Sequence, residues 1–150
     1  MAQMFLSKDF KEFIQLLNNN KVEFIVVGGY AVGFHGYVRF TGDIDVWVNS
    51  TTENAQKLLK ALNEFGFGSL TDISLDDFNK PNSVVQLGYP PFRIDLVTSV
   101  SGLTFETCFI KKNNAFIDGI EIPFLDLESL KINKKSTDRK KDLGDLENLP

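Results

Sequence analysis

The chain has 150 residues, 43% of them hydrophobic and 24% charged, with 14 phenylalanines. That is the composition of one ordinary globular domain with enough apolar volume to build a core. A net charge of −4 and a pI near 5.0 exclude a broadly basic, nucleic-acid-coating surface. The single cysteine, Cys108, excludes an intramolecular disulfide and fits a reducing cytoplasm. No apolar run approaches the roughly 20 residues that span a bilayer, so no membrane is expected. The N-terminal segment, with no basic start and apolar run, is not expected to be a signal peptide.

In chain order, Phe10, Phe13, Ile14 and Leu17 form one helical stripe over Ser7 to Asn18. Asp9 with Glu12 resembles a capping box at its start. Val22 to Val27 is nearly all apolar, as a central strand would be, and stops at Gly28-Gly29. Tyr30 to Phe34 allows a helical turn or two. Ile44 to Val48 is a second strand. Ser50-Thr51-Thr52 then supplies cap residues for a helix carrying Ala55, Leu58, Leu59, Leu62 and Phe65 and closed by Gly66 and Gly68. Residues 69–82 are polar and read as a loop.

Val84 to Leu87 and Phe92 to Val97 are the third and fourth strands. Ala115–Ile117 and Ile120–Ile122 flank Asp118-Gly119, a two-residue hairpin signal. Asp126 to Asn133 reads as a helix. A last helix, capped by Ser136 or Thr137, carries Leu143, Leu146 and Leu149. The sum is one mixed α/β (α+β) domain over residues 1–150: a small mixed sheet flanked by helices, with a helical tail from about 126 to 150.

The chemistry concentrates in Thr41-Gly42-Asp43-Ile44-Asp45-Val46-Trp47-Val48. Side chains alternate on a strand, so Asp43 and Asp45 share a face about 7 Å apart along it, while Ile44, Val46 and Val48 face the core. Two such carboxylates repel each other, and a hard divalent cation, Mg²⁺ or Mn²⁺, relieves them. The competing reading is a solvated pair on an edge strand. Asp95, flanked by Ile94 and Leu96 in mid-strand, needs a partner because an unpaired buried carboxylate is costly. It is either a third metal-facing carboxylate or an ion-pair partner of Arg93 or Arg39, with Arg93 expected on the opposite face of the strand. Gly28-Gly29 at a strand end lets backbone N–H groups approach a phosphate. His35 is expected to be structural, and Cys108 has no nearby histidine to make it a nucleophile.

Val27-Gly28-Gly29-Tyr30-Ala31, the 13-residue gap, Asp43-Ile44-Asp45 and the later Ile94-Asp95-Leu96 resemble the polymerase-β-type nucleotidyltransferase superfamily. Arg39-Phe40-Thr41-Gly42-Asp43 is similar to the Arg-x-Thr-x-Asp approach of its small members. Leu127-Glu128-Ser129-Leu130-Lys131, with Arg139, Lys141, Asp142 and Asp145 behind it, resembles the closing motif of the abortive-infection toxin group.

The resemblance implies transfer of a nucleoside monophosphate from a nucleoside triphosphate to an acceptor (RNA, protein or small molecule), with pyrophosphate released. It implies two Mg²⁺ or Mn²⁺ ions on Asp43, Asp45 and Asp95, with Asp45 bridging both. Gly28, Gly29, Arg39, Thr41 and Lys131 become candidate nucleotide ligands. Arg139, Lys141 and Asp142 are weaker candidates, since a charged helix face is more often merely solvated. A dimer partner or the 69–82 loop is expected to wall the acceptor site, and a toxin role requires an antitoxin partner. The alternatives are an inactive binding or toxin–antitoxin-type module of the same fold, and a sugar-nucleotide glycosyltransferase, for which 150 residues leave little room.

Overall fold

A computed structural model describes residues 6–37, 42–66, 73–88, 92–137 and 139–150, without the side chains of Lys140 and Lys141. Six strands make one mixed sheet: β1 (Phe24–Val27), β2 (Asp43–Val48), β3 (Val84–Leu87), β4 (Arg93–Val97), β5 (Asn113–Ile117) and β6 (Ile120–Phe124). Their spatial order is β3-β4-β2-β1-β6-β5. β2 runs antiparallel to β1 and parallel to β4, β1 runs parallel to β6, and β3 and β5 close the two edges as antiparallel partners. β1 lies inside the sheet with all four residues buried, as its uninterrupted apolar run requires.

Helix α1 (Lys8–Asn19) buries the predicted stripe of Phe10, Phe13, Ile14 and Leu17. Its cap differs from expectation: the Ser7 hydroxyl accepts from the Phe10 amide at 3.2 Å, so Ser7 and not Asp9 begins the helix. Helix α3 (Thr52–Phe65) is capped by Thr51 and ends at Gly66 with φ +106°, the left-handed conformation that favours glycine. α1 and α3 pack on each other, with the rings of Phe13 and Phe65 at 5.2 Å. Helix α2 (Gly28–Phe34) follows β1 directly.

Two elements escaped the sequence. Helix α4 (Phe105–Lys111) is only two turns long, and its Phe105, Cys108 and Phe109 are too few to declare a period. Within the expected loop 69–82, Leu75–Asp77 form a 3₁₀ turn and Phe78 is fully buried, so the segment has a core anchor. Residues 67–72, Gly68 among them, lie outside the described residues. The hairpin is present with Asp118 and Gly119 both at positive φ, the pairing a type I′ turn demands. Helix α5 (Leu127–Ser136) starts with the Asp126 side chain accepting from Ser129, and runs three residues past its expected end. Thr137 therefore follows α5 as its C-cap. The last helix, α6 (Lys140–Asn148), starts after Arg139 with no side-chain cap, so neither Ser136 nor Thr137 caps it. Among the described residues, no helix is long and apolar enough to cross a membrane.

Candidate metal and phosphate site

The register of β2 against β4 sets the site. Asp43 lies opposite Arg93 and Asp45 opposite Asp95. Because side chains alternate on each strand, these four share one face, while Ile44, Val46 and Val48 are buried on the other. Oxygens of Asp43, Asp45 and Asp95 come within 4.8 Å of one another. On the other side of β2, Val27 is the ladder partner of Asp45, which puts Gly28 against the aspartate. Gly28 has φ +67°, and a Cβ there would overlap the Asp45 carboxylate. Backbone conformation and close approach both require glycine at this position.

Arg93 corrects the expectation that it points away. Two residues from Asp95, it shares that residue's face. Its Nε lies 2.9 Å from Asp95 Oδ1 and its Nη2 donates to Asp95 Oδ2 at 3.0 Å. Nη2 is also 3.7 Å from Asp43 Oδ2. One guanidinium thus contacts two of the three carboxylates. Asp45 shows the deficit: burial, and then the charge of Asp43 and of Asp95, push its pKa up to about 8. Burial also raises Asp95, against the lowering effect of its bond to Arg93. Burial, followed by the Asp43 charge, raises the Tyr30 hydroxyl on α2.

Asp43, Asp45, Arg93 and Asp95 form one wall of a cavity of about 410 Å³, together with Gly28 and Gly29. The segment after β4 (Ser99, Val100, Ser101) and residues from α5 and α6 form the rest. Lys134 is the buried cation there, with Nζ at 2.9 Å from Asp142 Oδ1 and 3.2 Å from Asp145 Oδ2. Asp142 also accepts from Thr137 and from Arg139 Nε, the latter at 2.7 Å. Burial works to raise the Asp142 pKa, but the bonds from Thr137, Lys134 and Arg139 outweigh it and hold it at about 2.

The polar face of α6 is therefore its buried face. Asp142 and Asp145 are enclosed while Leu143 is exposed and Leu149 is buried, so the aspartates are not the solvated face expected opposite the leucine stripe. Of the residues singled out from the sequence, Asp43, Asp45, Asp95, Gly28, Gly29, Arg139 and Asp142 line this cavity. Lys131 does not: its ammonium donates to the Pro150 carbonyl, and Lys134 stands on the cavity instead. Arg39, Thr41 and the Lys141 side chain lie outside the described residues. His35 sits with Nε2 at 2.7 Å from the Leu125 carbonyl, and Cys108 is buried with its thiol pKa raised by burial.

Both omissions had a legible signal. Strand period two puts Arg93 and Asp95 on one face. Leu127, Leu130 and Lys134 recur at i, i+3 and i+7, so a lysine occupies an otherwise apolar helical stripe. A lysine in that position must find buried carboxylates.

The fold agrees with known structures. A crystal structure of a Thermotoga maritima protein described as a "putative nucleotidyltransferase" superposes with a TM-score of 0.60 at 17% identity, over 92% of this chain and 84% of that one. No curated protein matches the chain by sequence. The model of the family described as "Nucleotidyl transferase of unknown function (DUF2204)" matches residues 6–150, and the chain belongs to that family.

Proposed function

We propose that the chain is a divalent-metal-dependent nucleotidyltransferase that moves a nucleoside monophosphate from a nucleoside triphosphate to an acceptor hydroxyl. The observation that carries the reading is the triad of Asp43, Asp45 and Asp95 abutting a glycine pair that leaves no room for a side chain at Gly28. The donor set fits Mg²⁺ or Mn²⁺. All three ligating groups are hard oxygens, and the one arginine neutralises a single charge of the three. A cation held by Asp43, Asp45 and Asp95 would supply Lewis acidity toward the phosphate oxygens.

The chain's own residues do the rest. The backbone of Gly28 and Gly29 can approach the triphosphate closely because no Cβ intervenes. Arg139 and Lys134 stand on the facing wall, each paired with Asp142. The acceptor oxygen bonds to the α-phosphorus while the bond from that phosphorus to the α–β bridging oxygen breaks. Pyrophosphate leaves with that electron pair. Asp95, on β4, takes the acceptor's proton. Catalysis of this kind rests on positioning and electrostatics.

An inactive binding module of the same fold is the second reading, and the Arg93–Asp95 pair favours it, because it occupies one carboxylate of the three. Incubation with each α-labelled nucleoside triphosphate, Mg²⁺ and cell extract, followed by tracking of the label, separates the two. The enzyme labels a product and Asp45→Ala abolishes the label. Equal labelling by Asp45→Ala would falsify the reading.

A further inference from the structure

Beyond the carboxylates, the same face of the sheet carries a second cavity, also of about 410 Å³. Trp47 follows Asp45 by two residues on β2, so it shares the aspartates' face about 7 Å further along the strand. It lines the second cavity with Asn49, Ser50, Thr98, Phe105 and Glu106. Ser99 borders both cavities. The turn that carries it is fixed from α5: Asn133 Nδ2 and the Ser136 hydroxyl both donate to the Ser101 carbonyl, at 3.1 and 3.0 Å.

The two cavities differ in whether their carboxylates are met by cations. The first holds Arg93, Lys134 and Arg139 against Asp43, Asp45, Asp95 and Asp142. No cation lines the second among the described residues, and its one charged group is Glu106. A polyphosphate, or the backbone of a nucleic acid, would enter the second cavity against a carboxylate with nothing to neutralise it. The cavity's neutral hydroxyls and amide suit O–H and N–H groups, and Glu106 suits an amine. Trp47 is 99% buried and its indole N–H has no hydrogen-bond partner, a deficit that buried groups seldom carry. A nucleobase is the poorer occupant. The Phe105 ring is already stacked on Phe109 at 5.2 Å and met edge-on by Trp47 at 5.3 Å, which leaves little of its surface for a further ring.

Direction of reaction points the same way. Gly28 lies on the β1 side of Asp45, while Asp95 and Ser99 lie on the β4 side. In-line displacement places the attacking and leaving oxygens on opposite sides of the phosphorus. With pyrophosphate leaving over the glycine pair, the acceptor enters from the β4 side, where the second cavity adjoins. We propose that the Trp47–Glu106 cavity is the acceptor subsite, and that it takes a small, hydroxylated, non-phosphorylated molecule carrying an amine, not a polynucleotide. The role as acceptor subsite rests on the nucleotidyl-transfer reading above. One acceptor hydroxyl loses its proton to Asp95, its oxygen bonds to the α-phosphorus, and pyrophosphate departs with the electrons of the broken α–β bridge bond.

Trp47 is the only tryptophan of the chain, so its emission reports occupancy of this cavity without any assay of turnover. The test titrates the full chain with three sugars that differ in charge: glucosamine, glucose and glucose 6-phosphate. Glucosamine at millimolar concentration is expected to change Trp47 emission saturably, glucose more weakly, and glucose 6-phosphate not at all. Glu106→Gln, an exposed position that leaves the core intact, is expected to weaken glucosamine about tenfold, to the level of glucose. An equal response to glucose 6-phosphate, no response to any of the three, or a stronger response to adenosine than to glucosamine overturns the proposal. Calorimetry with Mn²⁺ and ATP tests the parent reading separately. ATP binding without a sugar response removes the acceptor subsite alone; a sugar response without ATP binding removes the nucleotidyl-transfer reading, and the acceptor role with it.

Discussion

Arg93 grips Asp95 with two nitrogens, at 2.9 and 3.0 Å, and reaches toward Asp43 at 3.7 Å. It is the resident cation of a triad that repels itself. A divalent ion bound at the triad would compete with this guanidinium for the same oxygens, so removing the arginine should do two opposite things. Arg93→Gln is expected to lower the melting temperature in chelator, because the repulsion goes unrelieved. It is also expected to enlarge the temperature rise produced by millimolar Mn²⁺, because an ion binding only the folded state stabilises it by RT times the logarithm of one plus the ratio of free ion concentration to Kd, which grows as Kd falls. Thermal melts with and without Mn²⁺ check both. An identical Mn²⁺ increment in the two proteins would show that Arg93 and metal do not compete.

Gly28 and Asp45 are the second coupled pair. Gly28→Ala meets two penalties: a positive φ, which costs an L-residue about 1–2 kcal/mol, and overlap with the Asp45 carboxylate. The double variant Gly28→Ala/Asp45→Ala removes the overlap and keeps the φ penalty. Denaturant unfolding of the four proteins of this cycle is expected to show the double variant less destabilised than the sum of the singles. Strict additivity would mean that the carboxylate moves aside freely.

How far the sequence foretold this arrangement depends on the range of the interaction. Asp43 and Asp45 could be put on one face, and Ile44, Val46 and Val48 on the other, because strand alternation is local. The six strands and the Asp118-Gly119 turn were legible for the same reason. Lys134 was not, because its partners Asp142 and Asp145 come from the next helix, and only the packing of α5 on α6 decides which face of α6 is inward. Of Leu143, Leu146 and Leu149, Leu149 is buried as the stripe suggested but Leu143 is exposed, since leucine spacing says nothing about where a buried lysine needs carboxylates. Arg93 was misplaced by a slip of one residue in phase, which on a strand reverses the face. The second cavity had no local signature at all: Asn49, Thr98 and Phe105 meet only once β2, β4 and α4 are assembled.

The Lys134 ion cluster should be costly to break. Its side chain and those of Asp142 and Asp145 are each no more than 4% exposed. Lys134→Ala leaves two buried carboxylates short of their shared cation, and removal of one partner of such a pair costs about 3–5 kcal/mol. Equilibrium urea unfolding is expected to show a loss of that size. Lys131→Ala, whose ammonium meets the exposed Pro150 carbonyl, is expected to cost under about 0.5 kcal/mol, as surface changes do. A reversed ranking would relocate the important lysine to position 131.

Asp142 gives the fold a defined acid limit. Its folded pKa of about 2 lies below the value of about 3.9 for an unfolded aspartate. A depressed carboxylate pKa contributes stability that is full above the unfolded value and disappears as pH falls through the folded one. A shift of about two units corresponds to about 2–3 kcal/mol. Asp45 and Asp95, whose pKa values are raised, contribute with the opposite sign, since their folded forms hold protons that the unfolded chain has released. Comparing wild type with Asp142→Asn cancels those two, as they are common to both. The stability gap between the proteins is expected to be constant above about pH 5 and to shrink by about 2–3 kcal/mol between pH 4 and about 2. Urea unfolding at each pH measures it. A gap that stays constant to pH 2 would mean that the bonds from Thr137, Lys134 and Arg139 do not favour the ionised carboxylate.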